Sequence, residues 1–78
     1  MRALIVEDDP VLSSQLSAAM ADAGFVTDCA ADGTQGEYLG ATESYDVAIL
    51  DLGLPGLSGI DVLTRWREGG ITDRKSVV

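Results

Sequence analysis

The sequence of 78 residues contains no histidine and only one cysteine, Cys29. Without histidine there is no Ser-His or Cys-His pair for nucleophilic catalysis, and no zinc site built from His and Cys ligands. A single thiol excludes an internal disulfide, and the apolar neighbours of Cys29 predict a small buried side chain. The patterns GxGxxG and GxxxxGK[ST] do not occur, so dinucleotide-binding and P-loop functions lack support.

Basic residues are also scarce, with 5 Lys and Arg against 13 Asp and Glu and a net charge of −8. A protein with this negative charge repels nucleic acid and anionic lipid, so we expect this segment to make no direct contact with DNA or membrane. The surplus acid either keeps the protein soluble or attracts a divalent cation or a basic partner. No apolar run approaches the length that spans a membrane and no signal peptide is evident, which predicts a cytoplasmic protein.

Two short apolar runs end abruptly in acidic residues. Residues 3–6 read ALIV and stop at Glu7, and residues 47–50 read VAIL and stop at Asp51. Continuous, partly β-branched runs of this length are typical of strands buried on both faces of a parallel sheet. Residues 25–30 are predicted to form another strand, and residues 76–78 to open a fourth.

Helices are predicted between these strands. Asp9 before Pro10 is typical of an N-cap followed by proline at the first helical position. A second helix over residues 34–42 is weakened by Gly36 and Gly40, each of which costs about 1 kcal/mol relative to alanine. Ser58 is predicted to cap a third helix. Helical spacing predicts inward faces formed by Leu12, Leu16, Ala19, Met20 and Ala23 in the first helix and by Ile60, Leu63 and Trp66 in the third.

The alternation of strands and helices, βαβαβα, predicts a single α/β domain with right-handed crossovers and a parallel sheet. In such a sheet, ligands bind outside the carboxyl ends of the strands. If the first and third strands are neighbours, Glu7, Asp8 and Asp51 converge at this edge. Three close carboxylates repel one another and require either a raised pKa or a cation, and their hard oxygen atoms suit Mg²⁺. Each acid could instead serve as a turn or cap residue, as Asp9 does most clearly.

The pairing of LIVEDDP at residues 4–10 with DLGLPGLSG at residues 51–59 resembles the receiver domains of bacterial response regulators, most closely the OmpR/PhoB class. The resemblance implies a flavodoxin-like, doubly wound sheet with strand order 2-1-3-4-5. It implies that a histidine kinase phosphorylates Asp51, and that Asp8 and Asp51 bind Mg²⁺ through their side chains. Gly53 would contribute its backbone carbonyl and Glu7 would hold the ion through water.

Other positions match structural features of the family. Pro55 and Gly59 would shape the loop and the start of the third helix, and Asp32-Gly33 matches a turn common in the family. The family's Ser or Thr at the end of the fourth strand and Lys at the end of the fifth fall beyond Val78, and Lys75 does not replace that lysine. The resemblance therefore implies that residues 1–78 are a partial receiver domain, without the DNA-binding output domain of the class.

A sheet that stops here leaves the outer edge of the third strand uncovered, which predicts self-association through strand edges. Three functions remain open. The first is a phosphoacceptor switch rather than a turnover enzyme, and the second is a switching-incompetent interaction or dimerisation fragment. The third is an Asp-nucleophile phosphatase of the haloacid-dehalogenase type. Such phosphatases carry a second aspartate two residues after the nucleophile, where this chain has Gly53.

Overall fold

The computed structural model of the protein describes residues 1–71, 76 and 77. Strands and helices alternate along the chain, as the sequence predicts. The elements are β1 (Arg2–Val6), α1 (Pro10–Asp22), β2 (Val26–Ala30), α2 (Gly33–Thr42), β3 (Val47–Leu50), α3 (Gly59–Glu68) and β4 (Ser76–Val77). None of the helices in these residues is long and apolar enough to cross a bilayer.

The four strands form one parallel sheet in the order β2-β1-β3-β4. This order confirms the doubly wound α/β architecture as far as the fourth strand. Val6, the last residue of β1, is in register with Ala30 of β2 and Leu50 of β3, so these three strands end at the same edge. Among the described residues, the fourth strand pairs with Val47 and Ala48, so the prediction that the outer edge of β3 is uncovered is wrong for the first half of this strand. The predicted residue 78 of that strand lies outside the described residues.

The main core lies between the sheet and the pair of helices α2 and α3. Leu4 and Val6 of β1 and Trp66 of α3 are fully buried there. The glycines that were predicted to weaken α2 are the residues that let it approach this core. A Cβ atom on Gly36 would lie 2.6 Å from a methyl group of Val6, and one on Gly40 would lie 2.3 Å from the Trp66 ring. Low helix propensity is therefore offset by close packing.

The predicted inner face of α3 is wrong at one position. Ile60 is 60% exposed, and Val62 is fully buried in its place, together with Trp66. Leu63 packs partly buried against the core, as predicted. The helix begins where expected, since the Ser58 hydroxyl accepts a hydrogen bond from the Asp61 N–H at 3.1 Å. The buried residues of α3 are Gly59, Val62 and Trp66, spaced three and four residues apart. The inward face of the first turns is therefore shifted by one residue from the predicted face.

The predicted inner face of α1 is only partly confirmed, because Leu16 and Met20 are half-buried whereas Leu12, Ala19 and Ala23 are exposed. No residue of this helix is buried, and Leu12 remains 41% exposed. The helix contacts β1 and β2, where the Ser17 and Thr27 hydroxyls form a 2.7 Å hydrogen bond. Within the described residues no second helix packs beside α1, so its apolar side chains are covered on one side only. Its start is as predicted, because the Asp9 carboxylate accepts hydrogen bonds from the N–H groups of Val11 and Leu12.

The opposite edge of the sheet, where the strands begin, is joined by polar contacts around Arg2. The Arg2 guanidinium pairs with Asp28 at 2.7 Å and lies 4.8 Å from the centroid of the Tyr45 ring. The Tyr45 hydroxyl donates to the same Asp28 carboxylate at 2.8 Å. Burial, followed by this hydrogen bond, raises the pKa of Tyr45 to about 12. These contacts link β1, β2 and the segment before β3 at the end of the sheet away from the acidic residues.

Candidate functional site

The carboxyl edge of the sheet brings three acidic side chains together. Glu7 and Asp8 follow β1 directly, and Asp51 follows β3. Because β1 and β3 are adjacent and in register, one carboxylate oxygen from each residue lies within 4.8 Å of the other two. Backbone hydrogen bonds continue the sheet pairing into the site, from the Asp51 N–H to the Val6 carbonyl at 3.0 Å. The convergence predicted from the two apolar runs is therefore present.

The three carboxylates differ in exposure. Glu7 is only 8% exposed, Asp51 is half-buried and Asp8 is exposed. The Asp9 N–H donates to Glu7 Oε1 at 3.1 Å, which by itself lowers the pKa of Glu7. Burial and the neighbouring Asp51 and Asp8 carboxylates outweigh that hydrogen bond and raise the pKa of Glu7. The site is thus short of positive charge, the condition under which a cation is bound most favourably.

Backbone groups hold two of the acids in place. The Gly53 N–H donates to Asp51 Oδ1 at 2.9 Å, so one oxygen of the half-buried carboxylate is fixed by the loop that follows it. Asp9 combines two roles, because its side chain caps α1 while its N–H orients Glu7. The predicted cap role of Asp9 is confirmed, but its contact with Glu7 was not foreseen. The signal for the cap was Pro10 directly after Asp9, and the spacing of two residues from Glu7 was the local signal for the second contact.

The donor set suits a hard divalent cation. Three carboxylates offer oxygen ligands on one side of a partly open site, and water can complete the shell, the arrangement that Mg²⁺ favours. In the described residues, these form the only group of three or more acidic or cysteine side chains that could hold an ion. The residues present therefore fit a Mg²⁺ ion.

A cleft of about 350 Å³ borders Glu7 and Asp8 between α1 and β2. Cys29 lines this cleft, and its side chain is exposed. The predicted burial of Cys29 is therefore wrong. The reason is the sheet order, because β2 is an edge strand and Cys29 alternates with the buried Ala30 toward the incompletely covered face below α1.

A family model described as the response regulator receiver domain matches residues 3–75 of this chain. The chain belongs to this family. The transcriptional activator IrlR of Burkholderia pseudomallei is 44% identical over 72 residues, which cover 92% of this chain and 31% of that protein. The transcriptional regulatory protein TctD of Salmonella typhimurium is 39% identical over 72 residues, with 92% and 32% covered. The chain thus spans about a third of the length of the curated relatives it matches.

Solved structures of receiver domains have the same fold. The receiver domain of a sensor histidine kinase from Pseudomonas aeruginosa, with a magnesium ion coordinated in its active-site cleft, matches with a TM-score of 0.90 at 28% identity. That match covers 97% of this chain and 62% of the other. A chain of the complex between the histidine kinase ThkA and the response regulator TrrA matches with a TM-score of 0.85 at 28% identity, covering 97% and 64%. The receiver fold expected from the motifs is confirmed.

Proposed function

We propose that Asp51 accepts a phosphoryl group from a sensor histidine kinase and that the reaction requires Mg²⁺. The ion would be held by the side chains of Asp8 and Asp51, by the backbone carbonyl of Gly53 and, through water, by Glu7. The observation that carries this proposal is the convergence of three carboxylates within 4.8 Å at the ends of β1 and β3, in a chain of the receiver family. Magnesium complexes and a kinase complex among the structural relatives support it.

When bound, Mg²⁺ supplies positive charge that offsets both the carboxylates and the phosphoryl oxygens. The chain itself supplies the nucleophile. Since Asp51 Oδ1 accepts the Gly53 N–H, we assign the other carboxylate oxygen as the nucleophile that attacks phosphorus. Its bond to phosphorus forms while the phosphorus–nitrogen bond of the donor's phosphohistidine breaks, and the electron pair returns to the imidazole, which takes up a proton. The product is an acyl phosphate on Asp51.

The experiment is phosphorylation of the 78-residue chain by acetyl phosphate, followed by intact-mass measurement. We expect the mass to increase by one phosphoryl group only when Mg²⁺ is present, and Asp51→Asn to abolish the increase. Asp22→Asn, which removes a carboxylate from the exposed face of α1, is the matched control and should react like the wild-type chain. If the wild-type chain remains unmodified with Mg²⁺ and folded, the phosphoacceptor proposal fails and a role as an interaction fragment is left.

We further propose that the chain is the receiver part of a longer cytoplasmic regulator that controls transcription. It would act as a phosphoacceptor switch that assists its own phosphorylation, without turning over a substrate and without touching DNA itself. The support comes from the transcriptional regulators among its relatives and from the net charge of −8. The phosphatase alternative has no such support, because the position two residues after Asp51 is Gly53.

We also propose that the 78-residue chain self-associates through the exposed sheet edge beyond β3. Among the described residues, β4 pairs with Val47 and Ala48 and is the terminal strand of the sheet, so its outer backbone edge has no strand partner there. Open apolar edges favour pairing with a second strand. Light scattering should show an average mass that rises with concentration. A monomer over a wide concentration range would contradict the proposal.

A further inference from the structure

The start of α2 lies directly against the loop that follows Asp51. Gly33, the first residue of α2, is buried although Asp32 and Thr34 on either side are exposed. A Cβ atom at Gly33 would lie 1.8 Å from the Leu57 carbonyl oxygen and 2.8 Å from the Leu57 carbonyl carbon. Atoms in ordinary contact lie about 3.5 Å apart. Because the obstructing atoms belong to the backbone, no side-chain rotation can make room for a larger residue.

The two ends of this loop, which runs from Asp51 to Gly59, lie directly against each other. Gly59, at the start of α3, lies so close to Asp51 that a Cβ atom there would be 2.2 Å from the Asp51 carbonyl oxygen. Between these ends, Leu54 is buried in the core and Leu57 packs partly buried against it. The Gly53 N–H bound to Asp51 Oδ1 is part of this loop. The path of the loop therefore sets the direction of the Asp51 side chain.

The first turn of α2 also lies against the end of β1, the strand that leads into Glu7 and Asp8. The Asp32 carboxylate accepts a hydrogen bond from the Gln35 N–H at 2.8 Å, which caps the helix. One turn further, a Cβ atom at Gly36 would lie 2.6 Å from a methyl group of Val6, the residue that precedes Glu7. The first turn of α2 thus contacts the end of β1 through Gly36 and the loop after β3 through Gly33.

We infer that Gly33 is a positioning residue for Asp51, a role beyond the turn that its sequence indicates. By letting α2 approach the Leu57 carbonyl, it holds the loop of Asp51 and Gly53 at a fixed distance from Glu7 and Asp8. This inference rests on the proposed phosphoacceptor function. A side chain at position 33 would displace the loop and separate the two halves of the site.

The test compares Gly33→Ala with Gly40→Ala, which places a Cβ atom against Trp66 in the same helix but away from the acidic residues. Both variants are studied under conditions in which Trp66 fluorescence shows them folded. We expect Gly33→Ala to slow phosphorylation by acetyl phosphate at saturating Mg²⁺ by roughly 10- to 100-fold, the cost of an ångström-scale misplacement. It should also shift the Gly53 amide resonance in the metal-free protein. Gly40→Ala should do neither.

A milder pair covers the case in which Gly33→Ala does not fold. Leu57→Ala removes the side chain that packs the loop against the core and leaves the carbonyl that faces Gly33, whereas Leu63→Ala removes the same atoms from another half-buried position against the core. We expect only Leu57→Ala to move the Gly53 resonance and to slow phosphorylation by several-fold. Equal effects within each pair would overturn the inference while leaving the proposed function intact. An unreactive wild-type chain would instead refute the proposed function, and the inference with it.

Discussion

Replacing Asp51 with asparagine is expected to stabilise the metal-free protein, because it removes a charge from a crowded acidic site. At 4.8 Å, the upper limit of the separation between these carboxylate oxygens, two like charges repel by about 0.9 kcal/mol in water and by about 3.5 kcal/mol at an effective dielectric constant of about 20. Asp51 is half-buried and Asp8 exposed, so solvent screening brings the gain toward the lower figure. We expect Asp51→Asn to raise the free energy of unfolding by about 1–2 kcal/mol.

Urea unfolding followed by Trp66 fluorescence, at neutral pH with EDTA, measures this difference. The control Asp22→Asn makes the same chemical change on an exposed helix face and should stay within about 0.5 kcal/mol of the wild-type chain. At a Mg²⁺ concentration of about 100 times the dissociation constant, the wild-type chain should gain about 2.7 kcal/mol and the Asp51→Asn variant less. If Asp51→Asn is no more stable than Asp22→Asn without metal, the reasoning about carboxylate repulsion is refuted.

Three further predictions concern other parts of the molecule. Gly40→Ala should lower the free energy of unfolding by about 1–2 kcal/mol, because overpacking against Trp66 exceeds the helix-propensity gain of about 1 kcal/mol; urea unfolding that shows stabilisation would contradict this. Since its raised pKa favours the neutral phenol in the folded state, Tyr45 should stabilise the fold fully below pH 10 and lose that contribution as the pH rises toward 12. Ultraviolet titration of a Tyr38→Phe variant, in which Tyr45 is the only tyrosine, checks this, and ionisation near pH 10 while folded would disprove it. Cys29 should react with a thiol reagent in the native state at a rate independent of added urea below the unfolding transition, whereas a rate that follows unfolding would indicate burial.

The sequence indicated the acidic site because its determinants are local. An apolar run that ends in acid fixes the place where a parallel strand stops, and two such runs on adjacent strands bring Glu7, Asp8 and Asp51 to one edge. The Asp9 cap could likewise be predicted, since capping depends on a side chain and the N–H groups two and three residues later. The adjacency of β1 and β3 came from the family's strand order rather than from either run alone.

The errors fall where burial depends on what lies beside an element. Helical spacing predicts that Leu12 lies on an apolar face, and this is correct as far as the spacing goes. Whether that face is covered depends on a neighbouring helix, and none covers Leu12 in the described residues. Cys29 is exposed because β2 is an edge strand, which local composition does not reveal. Gly36 and Gly40 have low helix propensity, yet they lie in α2 at the positions where it packs against β1 and Trp66. Tertiary contacts outweigh propensity at these positions.

Calorimetric titration of Mg²⁺ into the 78-residue chain and its Asp8→Asn variant tests the central claim most directly. Because Asp8 is exposed, its replacement should leave the fold intact. Because it is one of the three clustered carboxylates, its replacement should also remove a metal ligand. We expect one Mg²⁺ per chain in the wild type and in the Asp22→Asn control, and binding at least roughly 10-fold weaker in Asp8→Asn, as loss of a charged ligand implies. Equal affinity in Asp8→Asn and Asp22→Asn, or no binding to the folded wild-type chain, would contradict a magnesium site at the ends of β1 and β3.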